Sequence, residues 1–370
     1  MAKSDESEEG VPLPAPEETF DLAGHGEAEA ELLAALRSGR MHHAWMLTGP
    51  RGIGKATLAF RFARFLLRYG HDEKALGAAR SLAVPADDRI ARQIAAGAAQ
   101  DLLVLRRRID EKTGKLKTVI DVDQVRRVQD LFGFAAGGFG WRVAIIDAVD
   151  DLNRNAANAL LKSLEEPPRR AVLLLVTHSP GQTLPTIRSR CRKLALKPLA
   201  PEIVRAEVAR HSTALALPAL SAADEELIVR LAGGSLGRAL ELRVSGGLAQ
   251  YRALERMLKA WPNISEGAVQ EFLSAALPRR QERAFEGLAG RILEVVRGAA
   301  LAGASGQTGE GARTFAHLAA GAPPLVWADL AADLEDLFGK GKGLNLDARA
   351  VITEALRRIA AVGTIARRAA

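Results

Sequence analysis

The sequence predicts an α/β domain with a five-stranded parallel sheet, followed by a small helical lid and an all-α C-terminal domain. Three observations predict it. Trp45 to Phe62 reads as an apolar strand, a loop with glycines at 49, 52 and 54, and a helix with Leu58, Phe62 and Phe65 on one stripe. Val143 to Asp147 is a second buried strand, and it ends in a carboxylate. Past Pro198 strand patterns cease and only amphipathic helices follow.

Residues 1–19 carry Asp5, Glu6, Glu8, Glu9, Glu17 and Glu18 with Pro12, Pro14 and Pro16 between them, a composition that buries too little to fold and predicts a disordered acidic tail. The α/β domain is expected over 20–198, the lid over 199–245 and the helical domain over 246–370. Glu27 to Arg37 is an amphipathic helix closed by Gly39, and His42-His43 leads into the first strand, where capping or packing suits adjacent histidines better than one shared metal ion. Residues 70–100 are Ala-rich and helical in pattern. Leu102 to Leu105 is strand-like and precedes a basic hairpin from Arg106 to Ile120, whose charges serve either phosphates or solvation. Asp123 opens a helix with Val125, Val128, Leu131 and Phe132 buried and Arg126-Arg127 outside, and Gly137-Gly138 breaks it before the strand ending at Asp147. Asn153 to Glu166 is a helix stopped by Pro167-Pro168. Ala171 to Val176 is a strand ending in Thr177-His178-Ser179, and Lys193 to Leu196 is the last strand. Helices at Tyr251–Leu258, Val269–Leu277, Phe285–Val296, Val326–Phe338 and Val351–Ile365 complete the chain, with Ala302–Arg313 as a loop.

The whole-chain numbers set the class. At 370 residues, 48% hydrophobic and 26% charged, the chain has the composition of a multi-domain globular protein. A net charge of +7 allows an acidic partner such as nucleic acid without requiring one. The lone Cys191 excludes an internal disulfide and a multi-cysteine zinc module. With no apolar run of membrane-spanning length and no secretory pattern at the N-terminus, the expectation is a cytoplasmic protein without membrane contact.

The chemistry centres on Gly49-Pro50-Arg51-Gly52-Ile53-Gly54-Lys55, a phosphate-cradling G-x-x-x-x-G-K loop. Its glycines let backbone N–H groups approach a phosphate, the helix N-terminus adds positive potential, and Lys55 neutralises the outer phosphates. A turn that merely joins strand to helix is the alternative. The next position needs a hydroxyl to bind magnesium, but Ala56 stands there; Thr57 is rotated by about 100° and points elsewhere. Asp147 has the position of a magnesium-shell carboxylate, or else caps the following turn, while Ala148 stands where a hydrolytic Glu would orient water. Thr177 closes a strand where a γ-phosphate would be sensed. ATP binding is therefore an open expectation, with magnesium only if nucleotide binds and no zinc.

Four stretches in order, G-P-R-G-I-G-K at 49–55, I-I-D at 145–147, N-A-L-L-K-S-L-E-E-P-P at 158–168 and S-R-C at 189–191, resemble the clamp-loader subunits of the AAA+ class, most of all delta-prime subunits of bacterial DNA polymerase III. The resemblance covers about 20–245, and the helical remainder is similar to that family's oligomerisation collar. It implies a hetero-oligomeric ring with gamma/tau and delta subunits that uses ATP to open a sliding clamp and place it on primed DNA. It also implies that Arg190, with Ser189 beside it, is an arginine finger reaching the neighbour's nucleotide; the alternative is an ordinary arginine at a strand entrance that bonds a carboxylate. The family's lid motif G-S-L-R appears as Gly234-Ser235-Leu236-Gly237 with Arg238 displaced by one, and its zinc-binding cysteines are absent. Together with Ala56 and Ala148, these departures predict a stator that does not hydrolyse ATP and belongs to the polymerase complex by membership only. The alternatives are an active gamma/tau-type ATPase subunit and an unrelated P-loop ATPase or scaffold.

Overall fold

The computed structural model describes residues 14–110, 114, 116–133, 140–277, 282–305, 316–344 and 346–369. The acidic residues from Asp5 to Glu9, the Gly137-Gly138 break and most of the expected loop at 302–313 lie outside them. The described residues up to Glu207, with Gly234–Gly237, form one compact unit; Val208–Gly233 and the described residues from Arg238 onward form a second.

The first unit contains α1 (Gly26–Arg37), β1 (Ala44–Thr48), α2 (Lys55–Tyr69), α3 (Glu73–Ala78), α4 (Arg89–Ala95), β2 (Leu102–Leu105), α5 (Val122–Gly133), β3 (Arg142–Asp147), a 3-10 turn (Val149–Asp151), α6 (Arg154–Glu165), β4 (Ala171–Thr177), α7 (Pro185–Arg188) and β5 (Arg192–Ala195). All five expected strands are present and parallel, in the order β2-β3-β4-β1-β5. Because strand side chains alternate, one face carries Trp45, Leu47, Val143, Ile145, Val172, Leu174 and Leu194 against α1 and α2. The other carries Ala44, Met46, Ala144, Ile146, Leu173 and Leu175 against Val125 and Val128 of α5 and Leu160 and Leu164 of α6. Both faces are buried, which is why these strands read as continuous apolar runs. This is a doubly wound parallel arrangement, with β1 between β4 and β5 so that the loop after β1 opens at the strands' C-terminal ends.

Two expectations change. The segment 70–100 is not one helical run: Asp72 caps α3 by accepting from the Ala75 amide, and Asp88 caps α4 by accepting from Ile90 and Ala91. Two separate starts with Pro85 between them divide it. Residues 14–19, expected to be unstructured, are held in place. Arg64 of α2 is buried and donates to the carbonyls of Pro16, Glu17 and Thr19, with its guanidinium 4.4 Å from the Phe20 ring centroid. Glu17 in turn accepts both Nη atoms of Arg106, each at 3.0 Å. A Pro-rich segment with little apolar surface of its own is thus ordered by two arginines, Arg64 and Arg106.

The chain continues through α8 (Pro201–Ala214), and the second unit is helical: α9 (Ala222–Ala232), α10 (Leu236–Val244), α11 (Gly247–Leu258), α12 (Glu266–Ala276), α13 (Glu282–Ser305), α14 (Ala316–Gly321), α15 (Pro324–Gly343) and α16 (Ala348–Ala369). Its core includes Trp327 packed against Trp261, ring centroids 5.6 Å apart, with Leu254, Leu288, Leu334 and Ile352. α14 has no counterpart among the expected helices; at 6 residues it is too short to show a period. Among the described residues no helix is long and apolar enough to cross a membrane.

Candidate functional site

The register of the sheet sets the site's floor. Thr48 of β1 pairs with Thr177 of β4, and Asp147 of β3 pairs with Val176, so the ends of three strands lie side by side below the glycine loop. The loop has the form the spacing predicts. Gly49 has φ 143°, and a Cβ there would lie 2.5 Å from the Leu196 carbonyl oxygen, so only glycine fits. Ile53 is buried and pins the loop to the core, Gly54 has φ 106°, and α2 starts at Lys55 with no capping side chain and no acidic residue in its first turn. Open N–H groups at that helix start suit an anion.

Lys55 is only 3% exposed, and its Nζ donates back into the loop, to the Gly49 carbonyl at 2.5 Å and to the Pro50 carbonyl. Burial brings its pKa down to about 8, opposed by the charges of Asp147 and Asp150. Asp147 is pushed above the usual carboxylate range, mainly by burial, with Arg106 and Lys55 pulling the other way. Ala56 and Thr57 follow in the first turn of α2, and Ala148 is buried beyond Asp147.

Thr177 is fully buried, and its Oγ1 donates to Asp150 Oδ1 at 3.1 Å. The same carboxylate accepts the His178 and Ser179 amides at 2.8 Å each. Asp150 therefore turns the end of β4 into a closed hydrogen-bonded knot, and the Thr177 hydroxyl is spent there. Asp151, the other carboxylate of the turn, pairs with Arg107 at 3.3 Å. Neither stands in for the missing glutamate.

The loop is also covered. Ser235 Oγ donates to the Arg51 carbonyl at 2.9 Å, and the Gly237 amide donates to the Gly52 carbonyl at 2.8 Å. A Cβ on residue 237 would lie 3.1 Å from Gly52 Cα, so an arginine at that position would press on the loop backbone. The next residue, Arg238, pairs with Glu294. His25, which sequence reasoning passed over, places Nε2 2.6 Å from the Ile53 carbonyl. His42 and His43 stack and bond to the backbone of Ala44 and Leu164, which is a packing role.

A cradle of this shape matches a phosphate. The magnesium donor set does not match: position 56 offers a methyl, and no cluster of three or more His, Cys, Asp or Glu suited to a metal occurs among the described residues.

Arg190 is not part of this site. It follows α7, at the end of the sheet where β5 begins, whereas the glycine loop follows the C-terminal end of β1. A strand of five residues, about 15 Å, separates the two ends. Arg190 donates Nη1 to the Thr186 carbonyl at 2.9 Å and pairs through Nη2 with Glu165 at 2.8 Å. Ser189 Oγ closes α7 on Thr186 at 3.2 Å. Cys191 is pushed up to about 12 by burial, which leaves its thiol inert. Of the basic residues considered for phosphate contact, Arg106, Arg107, Lys117 and Arg126 each face a carboxylate, Glu17, Asp151, Asp121 and Asp123 respectively.

The family model described as "DNA polymerase III, delta subunit" matches residues 24–200. DNA polymerase III subunit delta' of Pseudomonas aeruginosa is 40% identical over 196 residues, 52% of this chain and 53% of that protein. Subunit delta' of Escherichia coli is 32% identical over 57% of this chain and 58% of its own length. Subunit tau of the same organism is 32% identical over 61% of this chain and 32% of its own length. The chain spans about half the length of the delta' relatives and a third of tau. A gamma subunit-related protein of Thermotoga maritima superposes with TM-score 0.45 at 15% identity, covering 90% of this chain and 99% of that one. Residues 24–200 carry the match to that family model, and the chain is similar over part of its length to the delta' and gamma/tau-type subunits named here.

Proposed function

We propose that this chain is a delta'-type stator of a DNA polymerase III clamp loader, a subunit that does not turn over ATP and lends Arg190 to the nucleotide site of a neighbouring gamma/tau-type subunit. The observation that carries the reading is the placement of Arg190 at the opposite end of the sheet from the chain's own glycine loop. An arginine there is of no use to its own loop and is available to a second subunit. In that role its guanidinium stabilises charge developing on the neighbour's transferring phosphoryl group.

The chain's own loop supports the same reading. Lys55 is engaged by loop carbonyls, Thr177 by Asp150, and Ala56 removes the metal hydroxyl. The loop is thus a retained fold element, and whether or not nucleotide occupies it, no hydrolytic step runs through it. The helical second unit is the collar that joins gamma/tau and delta subunits in a hetero-oligomer, and the assembly acts on a sliding clamp and primed DNA in the cytoplasm.

The test is steady-state ATP hydrolysis by the purified chain, alone and then with an ATPase clamp-loader subunit, its delta partner, clamp and primed DNA. The expected result is no turnover alone and stimulated turnover in the mixture. Arg190→Ala should cut the served site's rate by a factor on the order of 10³. An unchanged rate for Arg190→Ala overturns the finger role, and turnover by the chain alone favours an active gamma/tau-type subunit.

A further inference from the structure

Two stretches separated in sequence, L-E-E-P-P at 164–168 and S-R-C at 189–191, meet in space through one ion pair, Glu165 to Arg190, at 2.8 Å. From this we infer that Glu165 is the positioning residue of Arg190, a role that rests on the trans-acting reading above.

Glu165 is the last residue of α6. Pro167 disfavours a helical conformation at Glu166, which has ψ 64°, so the helix stops at a defined residue and the Glu165 carboxylate is delivered at a defined height. On the other side, α7 is a single turn begun by Pro185, and Ser189 closes it by donating to Thr186. The Thr186 carbonyl is shared, because Arg190 Nη1 also donates to it at 2.9 Å. The guanidinium is therefore gripped by a backbone oxygen on one nitrogen and a carboxylate on the other.

A guanidinium has five N–H donors in a fixed plane. These two contacts use one donor on each Nη and set the plane's orientation. The side chain is 37% exposed, so the group is held but still open to a further acceptor. The neighbouring arginines are differently occupied. Arg188 donates to the carbonyls of Pro180 and Gly181, and Arg192 pairs with Glu31 while lying 4.7 Å from the centroid of the Trp45 ring. Arg190 alone among the three is oriented by a carboxylate from the other motif.

A long, flexible side chain that must meet a phosphate across a subunit boundary loses rotamer freedom on doing so, and prior orientation lowers that cost. The carboxylate also keeps a partner on the charge before assembly. The pair is half-exposed, so its contribution to folding is small and its removal should leave the fold intact.

The experiment uses the full chain in the reconstituted complex of the preceding test, with variants Glu165→Ala, Glu165→Gln, Arg190→Ala and the double variant. Glu165→Ala should lower maximal stimulated turnover about fivefold, the factor an exposed ion pair carries near its upper limit. The chain concentration giving half-maximal stimulation and the denaturation midpoint should stay unchanged. Glu165→Gln, whose amide oxygen can still accept from Nη2, should recover most of the rate. In the Arg190→Ala background, Glu165→Ala should have no further effect. If Arg190→Ala lowers turnover while Glu165→Ala does not, or if Glu165→Ala acts equally in both backgrounds, the positioning role is overturned and the finger reading stands. If Arg190→Ala changes nothing, the finger reading itself falls.

Discussion

Removing the Asp150 carboxylate should loosen the end of β4 by an amount that the geometry sets. The carboxylate accepts three hydrogen bonds, from Thr177 Oγ1 at 3.1 Å and from the amides of His178 and Ser179 at 2.8 Å. In Asp150→Ala all three donors lose their acceptor. The Thr177 hydroxyl is fully buried and cannot recruit water without opening the strand, while the two amides lie on half-buried residues that water can partly reach. An unpaired buried donor costs about 1–3 kcal/mol, so one full and two partial losses predict about 3 kcal/mol. Asp150→Asn is a graded control: its Oδ1 can keep Thr177 and Ser179, but its NH₂ then faces the His178 amide, a donor against a donor, for a cost of about 1–2 kcal/mol. The assay is the denaturant midpoint of the α/β unit, followed by fluorescence of the buried Trp45, together with hydrogen exchange at His178 and Ser179. An Asp150→Ala midpoint within about 0.5 kcal/mol of the parent, with exchange at both amides unaltered, would refute the account and leave the Thr177 hydroxyl free to face a phosphate.

Two further outcomes follow from buried cations. Arg64→Met removes the donor to three carbonyls, so residues 14–20 should become protease-sensitive and the chain should lose about 3 kcal/mol, because those carbonyls lose a charged hydrogen-bond donor; protease resistance equal to the parent's contradicts this. Burial brings Lys55 down to about 8 in the folded chain from the ordinary lysine value of 10.5, so between those values the unfolded chain binds the proton that the folded chain has released. Stability should therefore rise with pH across about 8 to 10.5, by at most on the order of 3 kcal/mol. Below pH 8 both states are protonated and the contribution is lost. Denaturant midpoints of the parent and Lys55→Met across this window check the sign: the rise should disappear in the variant.

Much of this molecule is legible in residue order. The five strands and the glycine loop are local features: continuous apolar runs report burial on both faces, and glycines at fixed offsets report backbone conformations that other residues resist. The alanines at 56 and 148 are legible for the same reason, since a methyl can neither ligate a metal nor orient water wherever it sits. Other features depended on partners distant in the chain. Residues 14–19 look unable to fold because Arg64, one of the two cations that order them, belongs to a helix some 45 positions away. The basic hairpin looks free for phosphate, yet Arg106 and Arg107 are met by Glu17 and Asp151, carboxylates that approach from two other segments.

The sequence by itself determined the fold class, the phosphate-loop form and the absence of a magnesium hydroxyl, because each follows from residue type at short spacing. Only the tertiary structure decided how the surviving polar groups are used. Thr177 is bound to Asp150, Gly237 lies close against Gly52, and Glu165 holds Arg190 at the end of the sheet opposite its own loop. Hydrogen bonds and close approaches of this kind join residues 25 to 185 positions apart, and their geometry exists only once the sheet has brought the strand ends together.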